Sequence, residues 1–179
     1  MMIRFSIDDS YVIDWRVSID SSDRLLSVPG VISGLIGLGK SGNDLRELNL
    51  NRFENVKSVE IGSNALRHVL ELKMNNMSRL ESIEVGMSSL IETESFSTLG
   101  DENLSVVRIG DDSFENGSVF ELGDDSRIGE LEIGKDCFKG NKKKDDSLGF
   151  VMRELNNLKR IDIGRGSFSH FDSFELSGE

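Results

Sequence analysis

The sequence predicts a mainly β solenoid, in which short parallel strands stack turn upon turn. An apolar–any–apolar–glycine string recurs at residues 59–62, 83–86, 107–110, 131–134 and 161–164. The first four glycines follow one another every 24 residues, and the fifth follows after 30. Apolar alternation before each glycine is typical of a strand with one face inward. A fixed period of this length is typical of repeat architectures, in which each turn buries the next.

The residues around each glycine follow the same period. Six positions before it lies an aliphatic residue: Val56, Leu80, Leu104, Ile128 or Leu158. Three positions after it lies a small residue, and the fourth is Leu66, Leu90, Phe114, Phe138 or Phe168. A second alternation, clearest at Phe120 and Leu122 and at Phe174 and Leu176, predicts a second short strand on the opposite side of the turn. The glycine is expected to let the chain turn without a side-chain penalty.

This unit, L-x-x-[IVL]-x-[IV]-G-x-x-[small]-[LF], resembles the leucine-rich repeat, L-x-x-L-x-L-x-x-[NC]-x-L, over residues 48–176. The usual asparagine position holds Asn64, Ser88, Asp112, Asp136 and Gly166. The wording I-G-x-x-S-F at residues 163–168 is also similar to the I-G-x-x-A-F motif of the BspA-like class. The resemblance implies a leucine-rich-repeat solenoid with a parallel sheet on its concave face and short strands or helical turns on its convex face. Helical spacing at Leu66, Val69 and Leu70, and at Val151, Leu155 and Leu158, keeps an α/β horseshoe as the alternative.

The two ends of the chain differ from the repeats. In residues 1–30, apolar residues alternate at Ile3, Phe5 and Ile7 and again at Ile13, Trp15, Val17 and Ile19. We interpret residues 1–30 as a β-hairpin-like cap, since solenoids need capped ends, and residues 31–179 as the repeat array. A charged insertion near residues 140–147 accounts for the one longer interval. The pattern still runs at Phe174 and Leu176, which predicts a truncated array or an end covered by another chain.

Composition excludes several classes of protein. The length of 179 residues fits one domain. The net charge of -11 disfavours nucleic acid as a partner, because binding phosphates requires clustered Lys and Arg. Cys137 is its one cysteine, so no disulfide framework is expected. No apolar run approaches the roughly 20 residues of a membrane span. The N-terminus lacks a signal-peptide core, which predicts a cytoplasmic location, or surface display if a signal has been removed.

One short motif raises the question of nucleotide binding. The residues from Gly34 to Ser41 match the P-loop string G-x-x-x-x-G-K-[ST], in which backbone N–H groups cradle phosphates. A P-loop must lead from a buried strand into a helix N-terminus, whereas Gly42, Asn43 and Asp44 disfavour a helix here. We therefore interpret this segment as a degenerate first repeat, with phosphate binding by Lys40 and Ser41 as the alternative.

Reactive side chains are few and scattered. Cys137 occupies the small inward position of its repeat and is expected to be a buried structural thiol. His68 and His170 belong to distant repeats, so neither a metal site nor a catalytic triad is expected. Carboxylate pairs such as Asp111 with Asp112 and Asp124 with Asp125 lack the spacing of a calcium loop. The sequence thus predicts no catalytic residue, no metal and no cofactor.

The outward strand positions are the candidate binding site. They are expected to form three columns down one exposed sheet face. The first is Ser58, Ser82, Val106, Glu130 and Arg160; the second is Glu60, Glu84, Arg108, Glu132 and Asp162; the third is Ser63, Met87, Asp111, Lys135 and Arg165. The columns are acidic at first and basic at the last repeat. This patterning predicts a surface that tunes encounter rate and specificity toward a partner.

Taken with the family resemblance, these observations predict a non-catalytic protein–protein recognition module, a scaffold or adaptor, that binds through this face. The partner is a protein of unknown identity, and neither nucleic acid nor membrane is expected. The alternative is a structural segment of a larger assembly, self-associating or joined through its C-terminal end at Phe174 and Leu176.

Overall fold

The structure is a computed structural model that describes residues 14–19, 33–38, 45–123, 127–140 and 149–177. These residues form strands and turns and no helix. In chain order the strands are β1 (Asp14–Ile19), β2 (Ser33–Leu38), β3 (Glu47–Asn49), β4 (Val56–Ile61), β5 (Glu71–Lys73), β6 (Ser82–Val85), β7 (Ser95–Leu99), β8 (Val106–Ile109), β9 (Val119–Gly123), β10 (Glu130–Ile133), β11 (Gly149–Arg153), β12 (Arg160–Ile163) and β13 (Ser173–Ser177).

The strands alternate between two sides of a parallel β-solenoid. One side is a seven-stranded sheet in the order β1-β2-β4-β6-β8-β10-β12. The other side carries a four-stranded sheet, β13-β11-β9-β7, and a separate pair, β3-β5. Every pairing is parallel, as it must be when each turn of the chain lies on the one before it. The prediction of a mainly β solenoid is confirmed, and so is the second strand in each turn.

The core lies between the two sides and follows the alternation of the sequence. Strands of the seven-stranded sheet turn residues such as Val59, Ile83 and Val107 inward, where they are fully buried. The opposite strands contribute Phe96 and Phe120. Each turn therefore buries apolar side chains only with the help of its neighbours, which is the cooperativity expected of stacked repeats.

Phenylalanine rings form two stacks through the later turns. Phe96, Phe120 and Phe150 stack with centroid separations of 5.4 and 5.1 Å, and Phe174 follows at 5.3 Å with its ring tilted by 35°. Phe114, Phe138 and Phe168 form the second stack, at 4.8 and 5.1 Å. Rings of one stack meet those of the other edge to face, as Phe120 does with Phe138 at 5.3 Å. Both geometries are favoured for aromatic pairs.

The predicted helical turns are wrong, and the α/β horseshoe with them, for the residues described. Leu66 has a φ of 52° and Glu154 a φ of 54°. A right-handed helix needs φ near -63°, so each of these left-handed residues stops a helix where the spacing suggested one. Leu66, Val69 and Leu70 lie in a turn instead, and Val151 lies in β11.

The recurring glycines are needed for a different reason than the one predicted. Left-handed residues lie two and four positions after each of these glycines; those at the first position are Asn64 (φ 58°), Ser88 (55°), Asp112 (57°), Asp136 (55°) and Gly166 (84°). The recurring glycines Gly86, Gly110, Gly134 and Gly164 are not left-handed. They lie so close to the turn below that an added Cβ at Gly110 would stand 2.7 Å from the backbone nitrogen of Met87. Glycine thus permits close stacking rather than the turn itself.

The N-terminal part of the chain joins the same sheet. β1 pairs in parallel with β2, which pairs in parallel with β4 through a shifted register near Gly34. The first strand of the predicted hairpin cap lies outside the described residues, so the hairpin stays a prediction. Most of the charged insertion predicted near residues 140–147 also lies outside the described residues, which end at Gly140 and resume at Gly149.

Candidate functional site

The structure brings the predicted outward residues together in register. Ser58, Ser82, Val106, Glu130 and Arg160 are successive partners across β4, β6, β8, β10 and β12, and so are Glu60, Glu84, Arg108, Glu132 and Asp162. Their alternate neighbours, such as Ile83 and Val107, are fully buried, so the columns face away from the core. Among the described elements, none packs on this outer side of the seven-stranded sheet. We call these three columns of residues, including the one after the glycines, the outward face.

Arg108 is the electrostatic centre of the outward face. Its guanidinium lies 2.9 Å from a carboxylate oxygen of Glu130, 3.3 Å from one of Glu84 and 3.7 Å from one of Glu132. The sequence places Arg108 in its column but gives no sign that three carboxylates, one from β6 and two from β10, converge on it. One cation among three anions leaves this part of the face acidic. The pairs are half exposed, so each contributes little to folding.

The third column follows the glycines and is joined by backbone hydrogen bonds. The amide of Asn64 donates to the carbonyl of Met87 (2.9 Å), and that of Ser88 to the carbonyl of Asp111 (2.8 Å). The Asp111 side chain also accepts from the Lys135 amide at 2.8 Å. Ser63, Met87, Lys135 and Arg165 are exposed, and Asp111 is half-buried. The main chain here is held turn to turn, so its side chains are presented from a rigid base.

The outward face changes in charge along the solenoid. Glu60 and Glu84 lie toward its first turns, and Arg160 and Arg165 lie at its last turn. Arg160 contacts Asp162 of the same strand at 3.1 Å. At the first turns, Ser58 and Ser82 share a hydroxyl–hydroxyl hydrogen bond of 2.8 Å. The predicted order, acidic first and basic last, is therefore present in three dimensions.

A buried ladder of small polar residues runs behind this face, and sequence reasoning missed its role. The hydroxyl of Ser89 donates to the carbonyl of Gly62 at 2.8 Å, that of Ser113 to Gly86 at 2.9 Å, and that of Ser167 to Gly134 at 2.7 Å. The amide of Ala65 donates in return to the Ser89 hydroxyl at 3.2 Å. The sequence does carry a signal for this ladder, because four of the five small residues three positions after the recurring glycines are Ser or Cys rather than Ala or Gly.

Cys137 belongs to this ladder. Its thiol donates to the carbonyl of Gly110 at 3.3 Å, and its amide donates to the Ser167 hydroxyl at 3.0 Å. Burial raises the pKa of the thiol from 9.0 to about 11. A buried, protonated thiol is a poor nucleophile, because the thiolate is the reactive form. The structure thus places Cys137 as predicted, at an inward structural position.

The other candidate groups stay apart. The Nδ1 atom of His68 lies 2.8 Å from a carboxylate oxygen of Glu92, whereas that of His170 lies 3.0 Å from the Ser169 hydroxyl. No three His, Cys, Asp or Glu side chains in the described ranges come together as metal ligands. Asp124 and Asp125 lie outside those ranges.

The P-loop string does not form a phosphate loop over its described part. Its first five residues, from Gly34 to Leu38, lie within β2 and pair with both β1 and β4. A P-loop wraps phosphate with free backbone N–H groups, which a strand paired on both sides cannot offer. Leu38 is buried and pairs with Ile61, the position before a recurring glycine. Lys40 and Ser41 lie outside the described residues.

The fold and the outward face define this chain as a parallel β-solenoid with one charged sheet surface. Comparison with protein-family models, with curated proteins and with solved structures finds no match. The part of the chain that the structure describes contains no helix of the length and apolarity needed to cross a membrane.

Proposed function

We propose that this chain is a non-catalytic protein–protein recognition module, a scaffold or adaptor of the leucine-rich-repeat type, that binds its partner through the outward face. One observation carries the proposal. Five consecutive strands hold matched columns of polar and charged side chains in register, on a sheet surface that no other described element covers. A parallel sheet with one bare face is unusual outside repeat folds.

The charge pattern supports a protein partner. Glutamates around Arg108 make the middle of the face acidic, while Arg160 and Arg165 make its end basic. A complementary partner surface has basic side chains opposite the acidic middle of the face and carboxylates opposite its basic end. Such complementarity raises the association rate and rejects wrong partners more than it adds affinity. A polyanion such as nucleic acid does not match a chain of net charge -11.

The leucine-rich-repeat assignment and a cytoplasmic location are parts of this proposal. The apolar offsets support the assignment, as does the left-handed residue at the usual asparagine position, where Asn64 and its equivalents lie. Left-handed backbone favours Asn, Asp and Gly over other residues. The stacked turns supply the rigid scaffold that a recognition surface requires.

Affinity capture from an extract of the source cells tests the proposal. The intact chain is compared with a Glu84→Lys, Glu132→Lys variant whose circular dichroism is unchanged. A matched control, Glu54→Lys with Glu102→Lys, makes the same change of charge at exposed turn positions before β4 and β8. We expect a protein that the intact chain and the control retain and the outward-face variant loses. Equal retention by all three would place binding elsewhere and overturn the proposal.

The second candidate function is assembly through the last described turn. Phe174 and Leu176 are among the most exposed large apolar side chains described, although their equivalents in earlier turns are buried. Exposed apolar side chains on a strand favour association with another chain. Phe174 and Leu176 lie in β13, in the sheet opposite the outward face, so both functions can hold.

A further inference from the structure

The last described turn exposes apolar side chains that the preceding turn buries. Ile161 is 45% exposed, Ile163 40%, Phe174 59% and Leu176 69%. Their register partners one turn earlier, Leu131, Ile133, Phe150 and Met152, are at most 3% exposed. The sequence pattern is the same in both turns, so the difference arises because no further strand lies over this one in the described part of the chain.

β12 and β13 are also sheet edges. β12 ends the seven-stranded sheet, and β13 ends the four-stranded sheet. On the side away from β10 and β11, no described strand meets their backbone N–H and C=O groups. A free strand edge is a template for pairing with another strand. The free strand edges and the exposed apolar side chains together favour a partner that contributes a β-strand rather than a helix or a loop.

The charges of this end suit a second copy of the same chain. Residues 154–177 hold three Lys or Arg side chains and four Asp or Glu side chains, so this turn is nearly neutral in an acidic protein. Two such ends approach each other with little repulsion. By contrast, the strongly acidic part of the chain lies in the earlier turns, away from this contact.

β12 is self-complementary when it is paired with its own copy in the antiparallel direction. With Ile161 opposite Ile161, Arg160 of each chain lies opposite Asp162 of the other. Opposite charges directly across an antiparallel pair are stabilising. Asp162 neighbours Glu132 across its own sheet, so a cation on its open side relieves a like-charge contact. Arg160 already contacts Asp162 at 3.1 Å within the strand, and the pairing completes an alternating ring of four charges.

We propose that a second copy of this chain covers the last turn, with β12 paired antiparallel to β12 of the other copy and with Phe174 and Leu176 buried between the two chains. This proposal deepens the second candidate function, assembly through the last turn, and rests on it. A contact of the same surface with itself closes as a twofold dimer and occupies the edges of β12 and β13 in both copies.

Sedimentation equilibrium over a range of concentrations tests the second copy. The full chain is expected to pass from monomer to dimer. Leu176→Asp is expected to weaken the dimer at least about tenfold, because it buries a carboxylate at the contact. Ser177→Asp introduces the same charge one residue along the strand, on the opposite side, and is expected to change the dissociation constant little. Leu176 is exposed in the monomer, so its substitution leaves the fold intact, which circular dichroism checks.

A charge exchange tests the strand pairing. Arg160→Asp sets four carboxylates together and is expected to weaken the dimer. Adding Asp162→Arg to it restores the alternating ring with the signs reversed, and we expect the dimer to recover. If the double variant is as weak as the single one, β12 does not pair with itself in this register.

The remaining outcomes separate the proposal from the function on which it rests. A chain that stays monomeric at millimolar concentration overturns the second copy. If that monomer binds a different protein through Leu176, the proposed assembly through the last turn is supported, but the partner is not a second copy of this chain. If the chain associates and Leu176→Asp leaves that association unchanged, both the second copy and assembly through the last turn are overturned. Growth beyond the dimer indicates head-to-tail stacking and overturns the twofold pairing.

Discussion

The thiol of Cys137 lies 3.3 Å from the carbonyl oxygen of Gly110 and takes the place that the hydroxyl of a serine takes in the neighbouring turns. Its sulfur also accepts from the backbone of Ser113. In four of the five repeats the side chain before the Leu or Phe is therefore a hydrogen-bonding group and not merely a small one, and Ala65 is the exception. Each such side chain ties its own turn to the turn before it.

The first prediction concerns this ladder. Cys137→Ser is expected to keep or raise stability, because a hydroxyl is a better donor and acceptor than a thiol. Cys137→Ala is expected to lower it by about 1–3 kcal/mol, since the Gly110 carbonyl and the Ser113 amide lose a buried partner. Urea unfolding of the three proteins measures both changes. Equal midpoints for the Ala and Ser variants would mean that only size matters at this position.

The second prediction concerns alkaline pH. Burial raises the pKa of the Cys137 thiol to about 11, whereas the thiol of the unfolded chain titrates near 9.0. The folded state therefore favours the protonated thiol. The stability that this preference contributes is fully present below pH 9 and is lost as the pH rises from 9 to 11. Because serine does not titrate here, the stability of the wild type relative to Cys137→Ser should fall across that window. The fall is at most about 3 kcal/mol. A constant difference from pH 8 to 11 would contradict the assigned burial.

The third prediction concerns the phenylalanine stacks. Phe120 contacts four other rings, those of Phe96, Phe138, Phe150 and Phe168. Phe120→Ala should cost about 3–5 kcal/mol, because it opens a cavity that the rings cannot collapse to fill. Phe174→Ala removes a ring from the exposed end of the same stack and should cost clearly less when the chain is dilute. Thermal or urea unfolding compares the two, and similar losses would show that stack position does not matter.

The fourth prediction concerns the recurring glycine. An alanine Cβ at Gly110 would stand 2.7 Å from the Met87 nitrogen, whereas at Gly129 the nearest atom is 3.8 Å away. Gly110→Ala should therefore destabilise the chain by about 1–3 kcal/mol through forced separation of two turns. Gly129→Ala should be neutral or slightly stabilising, since it reduces the freedom of the unfolded chain. If both substitutions are tolerated alike, turns can separate without cost.

Much of the architecture is readable from the sequence. The 24-residue period and the alternation around residues such as Val107 and Ile109 predict the strands, their inward side chains and the membership of the outward columns. Each of these is a local property of a short strand repeated at a constant interval. Parallel stacking then converts equal intervals into spatial register, which is why Glu60, Glu84 and Arg108 could be aligned in advance.

The tertiary structure alone decided how the turns meet. Helical spacing at Leu66 gave way to a left-handed residue, and the recurring glycines proved to be points of close approach. Three glutamates from the two strands that flank β8 lie around Arg108. Each of these depends on atoms from a neighbouring turn of the chain. A pattern of residue types records which side chains share a face, whereas contacts between turns depend on how closely the backbones stack.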